Sequence, residues 1–262
     1  MATRIASALV GIPVLVAAIW AGFPWLTALI ALIALLGLRE FYHLTVPDSP
    51  LAIFVFGSLW TLALVAAAQV EERWLLATLA GGILVGGMVA LTLRHRDTTP
   101  LSRLAVLLGP LYVGFLLSLA LPLRELEQGW QWLTFALLTA FATDSGAFFT
   151  GRAVGRRALA PSISPQKTQE GALGGVLWGV GAALLLGWVL GLQAAAWQQA
   201  LLGAAIGVVA QFGDLAESSL KRWAGVKEAG GLIPGHGGLL DRLDSVVFTL
   251  PLMYAVITLS QR

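Results

Sequence analysis

Two pairs of acids stand out in a chain of 262 residues that carries 14 Asp and Glu in all. Asp214 and Glu217 are three residues apart, as are Asp241 and Asp244, so on helices each pair shares one face. If the two faces meet, four carboxylates converge. An oxygen-only cluster of that kind suits Mg2+, which takes one or two carboxylates and completes its shell with water and phosphate oxygens. Between the pairs run Lys221, Arg222 and Lys227, then Pro234-Gly235-His236-Gly237-Gly238 leading into the last apolar run. Glycines that let backbone N–H groups approach a ligand at a helix N-terminus, flanked by bases, make a site for an anion such as a phosphate. A plainer reading competes with this one. In it the acids pair with Lys221, Arg222 and Arg242 in an interfacial belt, the glycines form a turn, and the bases attract lipid headgroups.

A second segment, residues 143–175, reads TDSGAFFTGRAVGRRALAPSISPQKTQEGALGG. It opens with Asp144 near the end of an apolar run, gathers Arg152, Arg156 and Arg157, and closes with Ser164-Pro165-Gln166-Lys167-Thr168 before the glycines of the next run. Phosphate-binding chemistry again stands beside a carboxylate, although Lys167 could equally be a basic residue snorkelling at a helix start. The spacing G-x-x-x-x-G-K-[ST] is absent, so nothing supports a P-loop ATPase. Gly171, Gly174, Gly175 and Gly179 could equally be helix-packing positions, the simpler reading for Gly175 and Gly179.

These residues must be held by a membrane scaffold. The composition is 58% hydrophobic and 11% charged, with 10 Trp and a mean hydropathy of +0.83. A soluble domain normally carries about a quarter charged residues. The absence of Cys removes disulfides, thiolate metal sites and Cys nucleophiles together. Apolar runs at about 5–22, 24–38, 51–70, 74–93, 101–123, 130–150, 172–191, 197–219 and 240–259 predict an all-α, polytopic bundle of about nine spans. Lipid leaves backbone groups no water to bond, and the alternating strands of a barrel are missing. The first run carries Arg4 but no small-residue cleavage pattern, so it is expected as a retained span.

With the N-terminus in the cytoplasm and the C-terminus outside, all of the 16 basic residues except Arg73, Arg124 and Arg262 fall on the cytoplasmic side. One integral membrane domain over 1–262 is expected, with 1–130 mainly scaffold and 131–262 carrying the site on the cytoplasmic face of the cell membrane. The acids of the first half lie in or beside loops. By contrast Asp144, Asp214, Glu217, Asp241 and Asp244 lie inside or at the ends of spans, where an unpaired charge costs several kcal/mol.

The run Ser218-x-Leu220-Lys221-Arg222, four residues, Lys227-Glu228, then Pro234-x-His236-Gly237-Gly238-x-x-Asp241-Arg242-x-Asp244-Ser245 resembles the signature of the phosphatidate cytidylyltransferases, or CDP-diacylglycerol synthases. The segments TDSGAFFTGRAVG and SPQKTQEGALGG are similar to two further blocks of that family, while the first 130 residues match only in hydropathy. Two positions depart from it. Glu228 stands where the family usually has Asp, and Gln166 replaces the first Lys of Ser-Pro-Lys-Lys-Thr.

The resemblance implies transfer of CMP from CTP to phosphatidic acid, giving CDP-diacylglycerol and pyrophosphate in phospholipid biosynthesis. It implies Asp214, Asp241 and Asp244 as ligands of Mg2+ and of any second metal ion. It also implies Lys167, Lys221, Arg222 and Arg242 on phosphates, His236 with Gly237 and Gly238 on the nucleotide or diphosphate, and Asp144 at the substrate pocket. Asp241, Asp244, Lys221 and Arg222 are the expected catalytic set. CTP, phosphatidic acid and membrane lipids are the expected partners, with a homodimer implied by the family and no nucleic acid. Two rivals stay open: a cytidylyltransferase acting on another lipid, and a cation or proton transporter using the intramembrane acids. The D-x-x-D-G-x-x-A-R pattern of CDP-alcohol phosphotransferases is absent, since Ser245 follows Asp244.

Overall fold

A computed structural model describes residues 2–46, 51–92, 100–231 and 237–261. Helices dominate: α1 (Ala2–Ala21), α2 (Trp25–Thr45), α3 (Leu51–Val70), α4 (Glu72–Thr92) and α5 (Pro100–Gly109) come first. A π-helical turn (Pro110–Phe115) then leads into the short α6 (Leu116–Ser118) and α7 (Ala120–Glu125). The second half holds α8 (Gly129–Val154), α9 (Gln169–Val189), α10 (Ala196–Trp223) and α11 (Leu240–Ser260). Among the described residues, 8 helical segments are long and apolar enough to cross a membrane, one of them the composite Arg103–Glu125, and the chain is a multi-pass membrane protein. The first predicted run is the helix α1. One feature was not anticipated: β1 (Ala158–Ala160) and β2 (Ser164–Thr168) pair antiparallel between α8 and α9.

The chain divides into two compact units, one formed by Met1–Pro122 with Glu228–Leu240 and the other by Leu123–Lys227 with Asp241–Arg262. In the first unit Tyr42 ties α2 to α5, its hydroxyl donating to the carbonyl of Val106 at 3.1 Å. The π-helical turn lies close to α3 because Gly114 has no side chain, and a Cβ there would stand 2.9 Å from Thr61 Oγ1.

The second unit is assembled through small residues. A Cβ at Gly174 would collide with Thr150, one at Gly175 would lie 2.9 Å from Ala147 Cβ, and one at Gly179 would lie 2.6 Å from Thr143 Oγ1. Helices in lipid gain little from hydrophobic association, so close backbone approach of this kind supplies the packing. Gly175 and Gly179 have the packing role their sequence positions suggest, and Gly171 and Gly174 share it. Thr168 starts α9 by accepting a hydrogen bond from the N–H of Gly171 at 3.0 Å, the usual way to satisfy a free amide in a first turn. Glu170 accepts from the N–H groups of Arg156 and Arg157 at 3.0 and 3.2 Å, which fastens the hairpin to the start of α9. α10 stops at Gly225, whose φ of 71° allows Val226 N–H to reach Lys221 O and Gly225 N–H to reach Arg222 O.

Candidate active site

The second unit brings together most of the residues singled out by type and spacing. Asp144 comes from α8, Lys167 from β2, Asp214, Glu217 and Lys221 from α10, and Asp241 and Asp244 from the first turns of α11. Lys167 thus reaches the site from a strand and not from a helix start. Its ammonium lies 2.5 Å from Asp214 Oδ2, with both side chains roughly a quarter exposed (27% and 29%). Ser218 Oγ, one turn along α10, donates to the other oxygen of Asp214 at 3.4 Å.

A second lysine serves two acids. Lys221 Nζ donates to Glu217 Oε2 at 3.0 Å and to Asp241 Oδ1 at 2.5 Å. This trio is more deeply buried, with side-chain exposures of 12% for Lys221, 0% for Glu217 and 11% for Asp241. Glu217 and Lys221 are four residues apart, so the helix itself presents them to each other.

Asp244 and Asp144 meet through a serine that the spacing argument passed over. Ser245 Oγ lies 2.8 Å from Asp144 Oδ2 and 3.3 Å from Asp244 Oδ1. One hydroxyl proton can serve only one of them at a time. Asp244 Oδ1 also accepts from the N–H of Ser245 at 2.7 Å. The carboxylate of Asp244 lies within electrostatic reach of Asp144, Asp214 and Glu217. Gly213 lets α10 and α11 approach this closely, since a Cβ there would strike the carbonyl of Asp244 and come 2.8 Å from Phe248. Gly213→Ala is therefore expected to cost about 1–3 kcal/mol by overpacking and to lower activity, which thermal melting in detergent beside a turnover assay would check.

Asp144, Lys167 and Asp214 line one cavity of about 370 Å3, joined by Arg152, Ser164 and Gln166. Apolar or small residues, among them Ala147, Phe148, Leu159 and Gly171, share the wall with these polar groups and with Gln211. A pocket lined by both charged and apolar groups suits a ligand that carries both characters.

The other candidates lie elsewhere. Arg222 is exposed and its guanidinium donates to the backbone carbonyls of Ile163 and Val226, which ties the end of α10 to the hairpin. Arg242 and Glu228 are exposed. Gly237 and Gly238 belong to the segment that folds with the first unit, Gly237 with a φ of 82° and Gly238 buried. His236, Pro234 and Gly235 lie outside the described residues, as does the polar turn at Arg94–Asp97. The salt-bridge reading holds at Lys221, which pairs with Glu217 and Asp241, and Lys167 pairs with Asp214, whereas Arg222 bonds backbone carbonyls instead of an acid.

The donor set suits a divalent cation. All its ligating atoms are carboxylate or hydroxyl oxygens, the five acids exceed the two paired lysines in charge, and Glu217 Oε1 is buried without a hydrogen-bond partner. Among the described residues no three Asp, Glu or His side chains converge into a ready-made cage. Mg2+ does not need one, since it keeps several waters and relies on substrate phosphates.

Two acids, Asp144 and Asp214, and one lysine, Lys167, thus line a cavity in a helical membrane protein, and the chain matches the Cytidylyltransferase family, a class of enzymes, over residues 2–260. It belongs to that family. It is 37% identical over 292 aligned positions to the phosphatidate cytidylyltransferase of Synechocystis sp., covering 98% of this chain and 96% of that protein. The enzyme of the same name from Brucella suis is 35% identical over 255 positions, covering 96% of this chain and 91% of that one. That of Staphylococcus epidermidis is 32% identical over 234 positions, covering 88% and 86%.

Proposed function

We propose that the chain carries out the reaction for which these relatives are named, transferring CMP from CTP to phosphatidic acid and releasing pyrophosphate. The observation that carries this reading in residue terms is the cavity that Asp144, Lys167 and Asp214 line together, on a chain matched almost end to end by the cytidylyltransferase family. Family membership favours this chemistry over a cation or proton carrier.

A phosphate oxygen of phosphatidic acid attacks the α-phosphorus of CTP. A new P–O bond forms to that phosphorus, the bond to the bridging oxygen breaks, and pyrophosphate leaves with that electron pair. Two polyanions must be held together for this, so positioning and charge neutralisation carry the barrier. No protein base is needed at the nucleophile, because phosphatidic acid is already ionised at neutral pH. Lys167 binds a phosphate of the nucleotide in the cavity, giving up its ion pair with Asp214 as it does so. Lys221 holds Asp241 in place and neutralises charge at the start of α11. Asp214, Asp241 and Asp244 would hold Mg2+, which when bound neutralises phosphate charge and supports the leaving pyrophosphate. Asp144 and Ser245 orient Asp244.

The site is assigned to the cytoplasmic side, where the basic loops collect and CTP is available, with phosphatidic acid entering from the adjacent leaflet. A homodimer is the assembly implied by family resemblance, and the mass of the detergent-solubilised particle checks it.

Lys167→Ala is expected to raise the KM for CTP about tenfold while changing kcat less, as loss of one phosphate contact would. A change confined to the lipid substrate would assign Lys167 to phosphatidic acid instead. The founding experiment is pyrophosphate release by purified protein given CTP, phosphatidic acid and Mg2+, with each component omitted in turn and ATP substituted for CTP. Dependence on all three supports the reading, and no release with any nucleotide from folded protein would end it.

A further inference from the structure

Glu40 lies in α2, far in sequence from the acids of the site, and is buried with 4% of its surface exposed. A carboxylate so placed is tolerated only where polar partners hold it. Its Oε2 accepts a hydrogen bond from the backbone N–H of Leu240 at 2.9 Å, across 200 residues of sequence. Leu240 is the first residue of α11, so this N–H is among those that find no partner inside the helix. Negative charge is also favoured at that end of a helix.

Two glycines shape the space around the carboxylate. A Cβ on Gly230 would lie 2.6 Å from Glu40 Oε1, and one on Gly238 would lie 2.8 Å from Oε2. Oε1 has no hydrogen-bond partner among the described residues, so the bond to Leu240 and the close fit of the glycines hold the group. All of these residues belong to the first unit. The helix that begins at Leu240 goes on to carry Asp241 and Asp244 in its first turns.

We propose that Glu40 is a positioning residue for the reaction: it caps α11 at Leu240 and so keeps helical the first turns of that helix, which carry Asp241 and Asp244. The proposal rests on the reading of those two aspartates as reaction-centre groups. It explains a buried acid in the half of the chain that otherwise serves as scaffold, and it gives Gly230 and Gly238 a steric reason for being glycine.

The test compares full-length wild type, Glu40→Ala, Glu40→Gln and Gly230→Ala in detergent, by hydrogen–deuterium exchange of the peptide at the start of α11 and by pyrophosphate release. Glu40→Ala is expected to speed exchange there about tenfold, with other helices unchanged, because the cap is a local contact. Its kcat should fall by about 100-fold, the size of effect that a misplacement of about 1 Å produces, with the KM for CTP little changed. Glu40→Gln keeps an oxygen acceptor and should recover kcat to within about fivefold of wild type, since the capping bond survives. Gly230→Ala pushes on the same carboxylate without deleting it and should repeat the local exchange change, which keeps the test decisive if Glu40→Ala does not fold.

Unchanged exchange at α11 in both Glu40→Ala and Gly230→Ala overturns the proposal. So does an equal rise across all helices, the mark of general packing, or full kcat alongside a loosened α11. Should wild type release no pyrophosphate, the cytidylyltransferase reading fails, and the exchange result alone decides whether Glu40 caps the helix.

Discussion

Asp244→Asn is expected to lower kcat by about 10^3-fold, the scale on which removal of one preorganised electrostatic group acts, while leaving the protein inserted and folded. Asparagine has nearly the same shape and keeps an oxygen that can accept from the N–H of Ser245, now at 2.7 Å from Oδ1. What it removes is a negative charge standing within reach of Asp144, Asp214 and Glu217. Relief of that repulsion should leave stability unchanged or slightly improved, so loss of turnover with an unchanged melting temperature would separate a chemical role from a structural one. Near-normal pyrophosphate release would remove Asp244 from the reaction centre. Asp241→Asn should also abolish turnover, but less cleanly, because Asp241 is a partner of Lys221 and its neutralisation unbalances a buried group.

Lys221→Met is expected to have the largest effect on stability. Glu217 is wholly buried, and its Oε2 depends on the Lys221 ammonium, which also serves Asp241. Deleting the cation leaves the buried Glu217 carboxylate without its ion-pair partner, a situation that costs about 3–5 kcal/mol. For a chain of this size that corresponds to roughly 10 °C in Tm. The double variant Lys221→Met/Glu217→Gln should recover much of the stability, because the uncompensated charge is gone, yet it should remain inactive if Lys221 neutralises charge in the reaction. Recovery of turnover in the double variant would reduce Lys221 to a structural ion-pair partner. Equal melting of the single variant and wild type would show that water reaches the trio.

The identity of the chemistry was legible from local sequence to an unusual degree. Asp214, Glu217 and Lys221 follow one another at spacings of three and four residues, Asp241 and Asp244 at three, and helical spacing alone puts such residues on shared faces. The apolar runs were legible for a similarly local reason: a stretch long enough to cross hydrocarbon is recognised without knowing its neighbours. The hairpin that carries Lys167 was harder to see. Ala158–Ala160 and Ser164–Thr168 are too short for a periodic pattern to register, and what holds them is Glu170 accepting from Arg156 and Arg157, a set of bonds that no spacing rule announces.

Glu40 shows the same limit from the other side. In the sequence it follows an arginine near the end of an apolar run and reads as a loop acid, yet in the folded chain it is buried and caps a helix 200 residues away. Ser245 likewise gains its meaning from Asp144, a partner 101 residues earlier. Composition and periodicity are properties of neighbours along the chain, so they reveal that this is a membrane protein with carboxylate and lysine chemistry concentrated in its second half. Which acid takes which lysine, which oxygen is left without a donor, and which distant carboxylate steadies α11 depend on contacts made when helices pack, and close packing admits only those partners whose shapes and charges fit.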